Sequence, residues 1–423
     1  MSDNGSGGWG SSAKRSAWAV ADQAVSSITN FALALVVART VSVREFGAFG
    51  LVFASYTLAL GIARAISTEP LALRHSTSSG PESRRATGMA VGAALTVALA
   101  GSVLSGIAGV AMGSATGRGF IVLAALLPFL LVQDAVRLSL FVNLRERAAF
   151  INDAVWAVAL AVTLGILFAV RSSPSVPELL IAWGAAAGVA AAVGLAQTGA
   201  LPAVASGPSW WRENRDVAPS YVGEFLATTA GAQFAVYPVG IAAGLVAAGA
   251  LRGGQVLMGP LNIMFMGAAL VAVPEAVRLL NKSPADLRKG CAALSLVLAG
   301  TAAIWGFLLT WLPDSIGESL LQDTWAPARS TVVPLALWLC ASGPVAGASL
   351  GTRVLGRARQ NFRTRLGLTV VTLGLVTAGA LWDGARGAAW GLALTTAAGA
   401  VVWWVQFHRA LEGHDAPAQA AVE

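Results

Sequence analysis

Long apolar stretches alternate with short polar, basic or Gly/Pro-rich breaks along the whole 423-residue chain. A helix crossing a hydrocarbon core of ~30 Å needs about 20 apolar residues. On that measure the pattern predicts twelve spans, at 17–40, 47–73, 87–113, 119–142, 149–171, 178–201, 219–248, 255–280, 289–313, 329–350, 366–382 and 387–408. The seventh and eighth are divided only by residues 250–254, and the last two only by residues 382–386. The first run follows Lys14 and Arg15 as a signal peptide would. Its apolar part is too long for that, and Asp22 and Gln23 interrupt it, so it is read as a span.

The expected fold is therefore all-α: a polytopic membrane protein of about twelve transmembrane helices in two six-helix lobes. Six is even, so the lobes share an orientation, as in parallel-repeat transporters. Pro70 with Arg74 and Pro274 with Arg278 repeat at a spacing of 204 residues, in agreement with this division. The lobes are expected at 17–201 and 219–408, flanked by a disordered cytoplasmic tail at 1–16 and a cytoplasmic tail at 409–423. Between them, residues 202–218 contain Trp210-Trp211-Arg212-Glu213-Asn214-Arg215 and are expected to form a cytoplasmic amphipathic linker.

Composition agrees. Hydrophobic residues make up 56% of the chain and charged residues 12%, with a mean hydropathy of +0.68. Soluble proteins carry about a quarter charged residues. The loops are too short for a folded soluble domain.

The net charge of +7 invites a nucleic-acid reading until the basic residues are placed. With the N-terminus in the cytoplasm, 19 Lys and Arg fall on the cytoplasmic side and 7 on the outer side, with Arg64 and Arg137 inside spans. That asymmetry is a topology signal. It predicts the inner cell membrane, both termini cytoplasmic, and no nucleic-acid partner. Several familiar motifs fail their context. Gly5, Gly7 and Gly10 satisfy the dinucleotide-loop spacing but follow no strand. His75, His408 and His414 are scattered, and Cys291 and Cys340 lie in apolar runs. No metal, no cofactor and no catalytic residue is expected.

Ionisable residues inside spans carry the information, because each costs ~2.5–3.5 kcal/mol at the bilayer centre on insertion scales. They concentrate in spans one, two and four, with Glu224 and Glu275 near the ends of seven and eight. Asp22, Ser26 and Asn30 recur every fourth residue and wet one face of span one. Thr57, Arg64 and Thr68 share a face of span two, with Arg64 about nine residues from the cytoplasmic end. Asp134 and Arg137 stand three apart in span four, close enough to pair. Arg39 lies off the polar stripe near the outer surface and reads as an interfacial arginine. Spans three, five, nine, ten and eleven are expected to carry no charge in their interiors. The set reads either as structural ion pairs or as a hydrophilic cavity with a cationic centre. The candidate substrate-binding residues are Arg64, Asp22, Asn30, Thr57, Thr68, Asp134, Arg137 and Glu224.

The hairpin VVARTVSVREFGAFG at 36–50, with Ala38, Arg39, Ser42, Glu45, Phe46 and Gly47, follows a polar-striped first helix. Span two then closes on Arg64 and Ser67-Thr68-Glu69-Pro70. This block, about a sixth of the chain, resembles the polysaccharide flippases. Their superfamily also holds multidrug-toxin extruders and lipid II flippases. The resemblance implies translocation of a sugar chain on a polyprenyl diphosphate, by rocking of two lobes around a cavity lined by the first, second, seventh and eighth helices. Lipid II flippases typically carry several cavity arginines, one in the second lobe. Here Arg64 is the one deep arginine on those four helices, which favours another lipid-linked glycan.

The expected partners are thus a lipid-linked glycan and membrane lipids, with coupling to H+ or Na+ possible. The main alternative is an ion-coupled multidrug or metabolite exporter, in which the carboxylates would lead. A membrane glycosyltransferase or polymerase would need a catalytic outer loop. The longest outer connection, 314–328, holds Asp314, Glu318 and Asp323 but no histidine. No enzymatic activity is expected.

Overall fold

The computed structural model describes residues 6–419. Every regular element among them is helical. The helices are α1 (Ser6–Thr40), α2 (Val43–Ile66), α3 (Thr68–His75), α4 (Gly80–Met112), α5 (Ala115–Val142), α6 (Glu146–Val170), α7 (Val176–Thr198) and α8 (Gly207–Asn214). They continue as α9 (Ala218–Gln233), α10 (Val236–Ala242), α11 (Gly244–Leu257), α12 (Gly259–Leu280), α13 (Pro284–Thr310), α14 (Asp314–Leu321), α15 (Trp325–Val354) and α16 (Ala358–Gln419). Nine helical stretches among the described residues are long and apolar enough to cross a membrane. The chain is an all-helical, multi-pass membrane protein.

Local chemistry explains the ends. Ser175 and Glu178 form a capping box that starts α7, and Gly199, at φ +63°, ends it. Ser283 accepts from the amide of Asp286 ahead of Pro284 at the start of α13. The hairpin at 36–50 is built the same way. Glu45 accepts hydrogen bonds from the Ser42 amide (3.1 Å) and hydroxyl (2.8 Å), capping α2. Phe46 and Phe49 stack behind it, fully buried, at 5.9 Å.

The chain packs into two compact units. One comprises Met1–Val41 and Leu51–Leu226; the other comprises Ser42–Gly50 and Ala227–Glu423. In the first, α5 packs against α4 and α7, and α6 joins α7 and α1. Trp18 meets Phe150 at 5.1 Å to seat α1 on α6. In the second, α15 packs against α11, α13 and α16. The opening of α2 belongs to this second unit because Gly47 lies directly on Gly249. A Cβ at Gly47 would come within 1.9 Å of the Leu245 carbonyl oxygen, and one at Gly249 within 2.0 Å of that of Val43. Only hydrogen fits between these backbones.

Several expected boundaries move. The break expected at 250–254 lies inside α11; the chain turns at Ala243, before Gly244 at φ +84°. The glycines that suggested the break serve helix packing instead, Gly253 against Thr324 and Ala328 and Gly254 against Thr331 and Leu335. Span seven is divided into α9 and α10. Span two breaks at Ser67, whose amide bonds to the Ala63 and Arg64 carbonyls. The last two spans form one helical stretch interrupted at Asp383 and Gly384, inside the expected break at 382–386. Residues 6–16, expected within a disordered tail, continue α1, with no proline to stop the helix; residues 1–5 and 420–423 of the two tails lie outside the described residues.

Between α7 and α9, α8 carries Trp210 inward and Trp211 outward. The Trp210 indole donates to the Ile66 carbonyl (2.8 Å), whose helical partner four residues on, Pro70, has no N–H. Arg74 binds both oxygens of Asp216 at 2.7 Å, holding the same region to the end of α3.

Candidate functional site: a buried charge network in the first unit

Four helices of the first unit bring ions together. α2 supplies Arg64, whose Nε and Nη2 donate to the two oxygens of Asp134 on α5 at 2.7 and 2.5 Å. This is the planar two-point grip that a guanidinium makes with a carboxylate. One turn along α5, Arg137 donates from Nη1 to Asp22 on α1 (2.5 Å) and reaches Asp153 on α6 (3.3 Å). Its Nη2 stands 3.6 Å from Asp134.

Amides extend the network. Gln133 donates to the Asn152 and Asp153 oxygens at 3.0 and 3.1 Å. Asn152 donates to the Ala190 carbonyl (2.8 Å) and to Gln197 (3.3 Å), tying in α7. An aromatic group of the same unit includes Tyr56 and Trp183, edge to face at 4.8 Å. Buried ions are tolerated when paired and hydrogen-bonded in this manner.

Counted in formal charges, three carboxylates and two guanidiniums leave one excess negative charge. Asp22 Oδ1 and Gln133 Oε1 are buried acceptors with no donor among the described residues. Burial is unequal. Arg64 is 38% exposed, whereas the other four ionic side chains are 9% exposed or less. Arg64 is the network's accessible member.

Of the candidate residues, Asp22, Arg64, Asp134 and Arg137 are joined in this network. The expected Asp134–Arg137 pair is its longest contact; each residue has a closer partner on another helix. The others bond elsewhere. Asn30 donates to the Ser26 carbonyl, Thr57 to that of Phe53 and Thr68 to that of Arg64, all one turn back on the same chain segment. Glu224 is exposed on α9. Glu275 is half-buried and pairs with Arg278 three residues on. Arg39 is exposed at the end of α1.

Asp153, Asn152 and Gln133 were absent from the candidates, and the fifth span was expected to hold no internal charge. α6 begins at Glu146, which puts Asp153 two turns inside the helix instead of at its edge. The adjacent pair Asn152-Asp153 was the available signal.

No family model and no curated protein matches the chain. Solved structures do. The chain is similar to a lipid II flippase, MurJ, in an inward closed conformation, at 11% identity and a TM-score of 0.69, over 90% of this chain and 85% of that one. A multidrug resistance MATE family transporter of the MOP superfamily matches in its inward-facing conformation, with a TM-score of 0.61 at 15% identity, over 93% of this chain and 98% of that one. Such a transporter in an outward-facing conformation gives 0.57 at 13% identity, over 95% and 96%. These structural neighbours are transporters and a flippase, not enzymes.

Proposed function

We propose that the protein is an ion-coupled flippase that carries a polyprenyl-diphosphate-linked oligosaccharide from the cytoplasmic to the outer leaflet by alternating access. The hairpin at 36–50 supports the polysaccharide-flippase reading, and the fold, shared with a lipid II flippase, is compatible with it. The 19-to-7 basic asymmetry supports cytoplasmic termini in the inner membrane.

The observation that carries the site is the exposure of Arg64 beside the burial of its partners. A diphosphate head group cannot cross hydrocarbon without charge compensation. Arg64 reaches the edge of the network with donors of the geometry that phosphate oxygens accept. During transport it exchanges Asp134 for the diphosphate. The excess negative charge left on the carboxylates then takes a proton or Na+, which couples the two events.

The test is flipping of a fluorescent lipid-linked oligosaccharide by reconstituted protein. Arg64→Ala loses flipping, and Arg64→Lys keeps part of it through a point charge without the fork. Arg64→Ala/Asp134→Asn restores protein level but not flipping. Recovery of flipping in that double variant refutes the phosphate contact and leaves Arg64 a structural ion.

A second reading follows from the net charge of the same network. A site with one excess negative charge also suits an exporter of cationic small molecules.

A further inference from the structure

The second unit contains a groove unrelated to the charge network. One cavity of about 300 Å³ is walled by α12, α13 and α15, through residues such as Phe265, Leu294, Leu298 and Val345. A second, of about 410 Å³, shares Ala268, Ala272, Leu294 and Leu350 with it and continues along α12 past Val271 and Leu279. The two form one channel lined almost throughout by apolar side chains. Sites for drug-sized ligands have similar volumes.

The first cavity also takes in Arg353 and Arg365. Arg353 is the penultimate residue of α15 and Arg365 lies two turns into α16, so the short turn between these helices sets both arginines at one end. Arg365 is fixed by its guanidinium lying 5.5 Å from the ring centre of Trp403, itself buried. Ser342 and Ser349 are polar residues of the same cavity. The second cavity reaches Glu275, whose carboxylate is held by Arg278.

An apolar channel with two guanidiniums at one end is complementary to an amphiphile with an anionic head and a hydrocarbon tail. We propose that this groove binds an anionic phospholipid of the adjacent leaflet, its phosphate on Arg353 and Arg365 and an acyl chain along α12. Basic pockets between transmembrane helices bind anionic head groups for the same reason. A zwitterionic head group would bring its ammonium beside two guanidiniums, and an anionic head group such as that of phosphatidylglycerol brings none. The apolar walls demand a chain, which free phosphate lacks. This site is independent of the transported substrate: a phospholipid bound here stabilises the second unit whatever the first unit carries.

The experiment uses the purified full chain in detergent, with bound lipid counted by native mass spectrometry. Phosphatidylglycerol, phosphatidylcholine, a polyprenyl phosphate and glycerophosphate are the probes. Phosphatidylglycerol is expected to bind in preference to phosphatidylcholine and to resist displacement by glycerophosphate. Arg353→Gln/Arg365→Gln lowers its occupancy by about tenfold or more, and Arg353→Lys/Arg365→Lys recovers much of it. Ala268→Phe, which fills the channel, lowers it without touching either arginine. On the unaltered protein, phosphatidylglycerol carrying a photoreactive acyl chain labels α12 or α13. Equal retention of the two phospholipids, displacement by glycerophosphate, preference for the polyprenyl phosphate, or labelling confined to other helices each overturns the proposal. The labelling arm stands even where a substituted chain does not fold.

Discussion

Arg137 is 7% exposed and reaches three carboxylates from three helices, Asp22 at 2.5 Å, Asp153 at 3.3 Å and Asp134 at 3.6 Å. It meets more carboxylates than any other cation of the network. Substitutions in the network have unequal consequences according to the sign of the charge removed. Arg137→Gln leaves three carboxylates against one guanidinium and is expected to cost about 3–5 kcal/mol, since it strands buried charge. Asp22→Asn brings the network to neutrality and still permits a hydrogen bond to Arg137, so it costs at most about 1 kcal/mol. Thermal unfolding of the purified variants checks this; equal losses would contradict the charge count. At this scale the sequence exposed the ions but not their pairing. Arg64, Asp134, Arg137 and Asp22 stood out because charge in a span is costly. The partner of Arg64 is 70 positions away and no local spacing announces it. Asp153 was hidden because a span boundary misplaced by three residues turned an internal acid into an interfacial one.

Helices that must pass close together need positions without a side chain, and α2 and α11 meet at such positions. Gly249→Ala places a methyl group 2.0 Å from the Val43 carbonyl oxygen, where only backbone movement makes room. The expected loss is about 1–3 kcal/mol. Gly300→Ala on α13, where a Cβ meets nothing within 4 Å, is expected to be neutral or to gain up to about 1 kcal/mol through helix propensity. Melting temperatures of the two variants in detergent decide it, and a harmless Gly249→Ala would remove the close crossing. Most elements were legible because apolar length sets helix length in a bilayer. The region 219–280 was not. Gly253 and Gly254 looked like a loop, yet serve close packing, while the real turn before Gly244 has no polar or basic run to mark it. Ser42, Glu45, Phe46 and Gly47 marked the hairpin in the sequence, and the structure shows their work as a capping box, a buried ring and a close backbone contact.

The whole molecule shares its fold with solved structures at 11–15% identity. Lipid demands only apolar length and internally satisfied backbones, so the fold tolerates near-complete replacement of residues. In the proposed reading, substrate choice rests on a few side chains, the ions of one network. The most direct measurement reconstitutes the purified protein in liposomes and follows two cargoes side by side: a fluorescent lipid-linked oligosaccharide and a cationic dye. Each is run with and without a proton or Na+ gradient. The account predicts that the oligosaccharide crosses to the opposite leaflet, faster with one of the gradients, while the dye stays where it was loaded. Movement of the dye with the oligosaccharide left in place would contradict it and make the protein an exporter of cations.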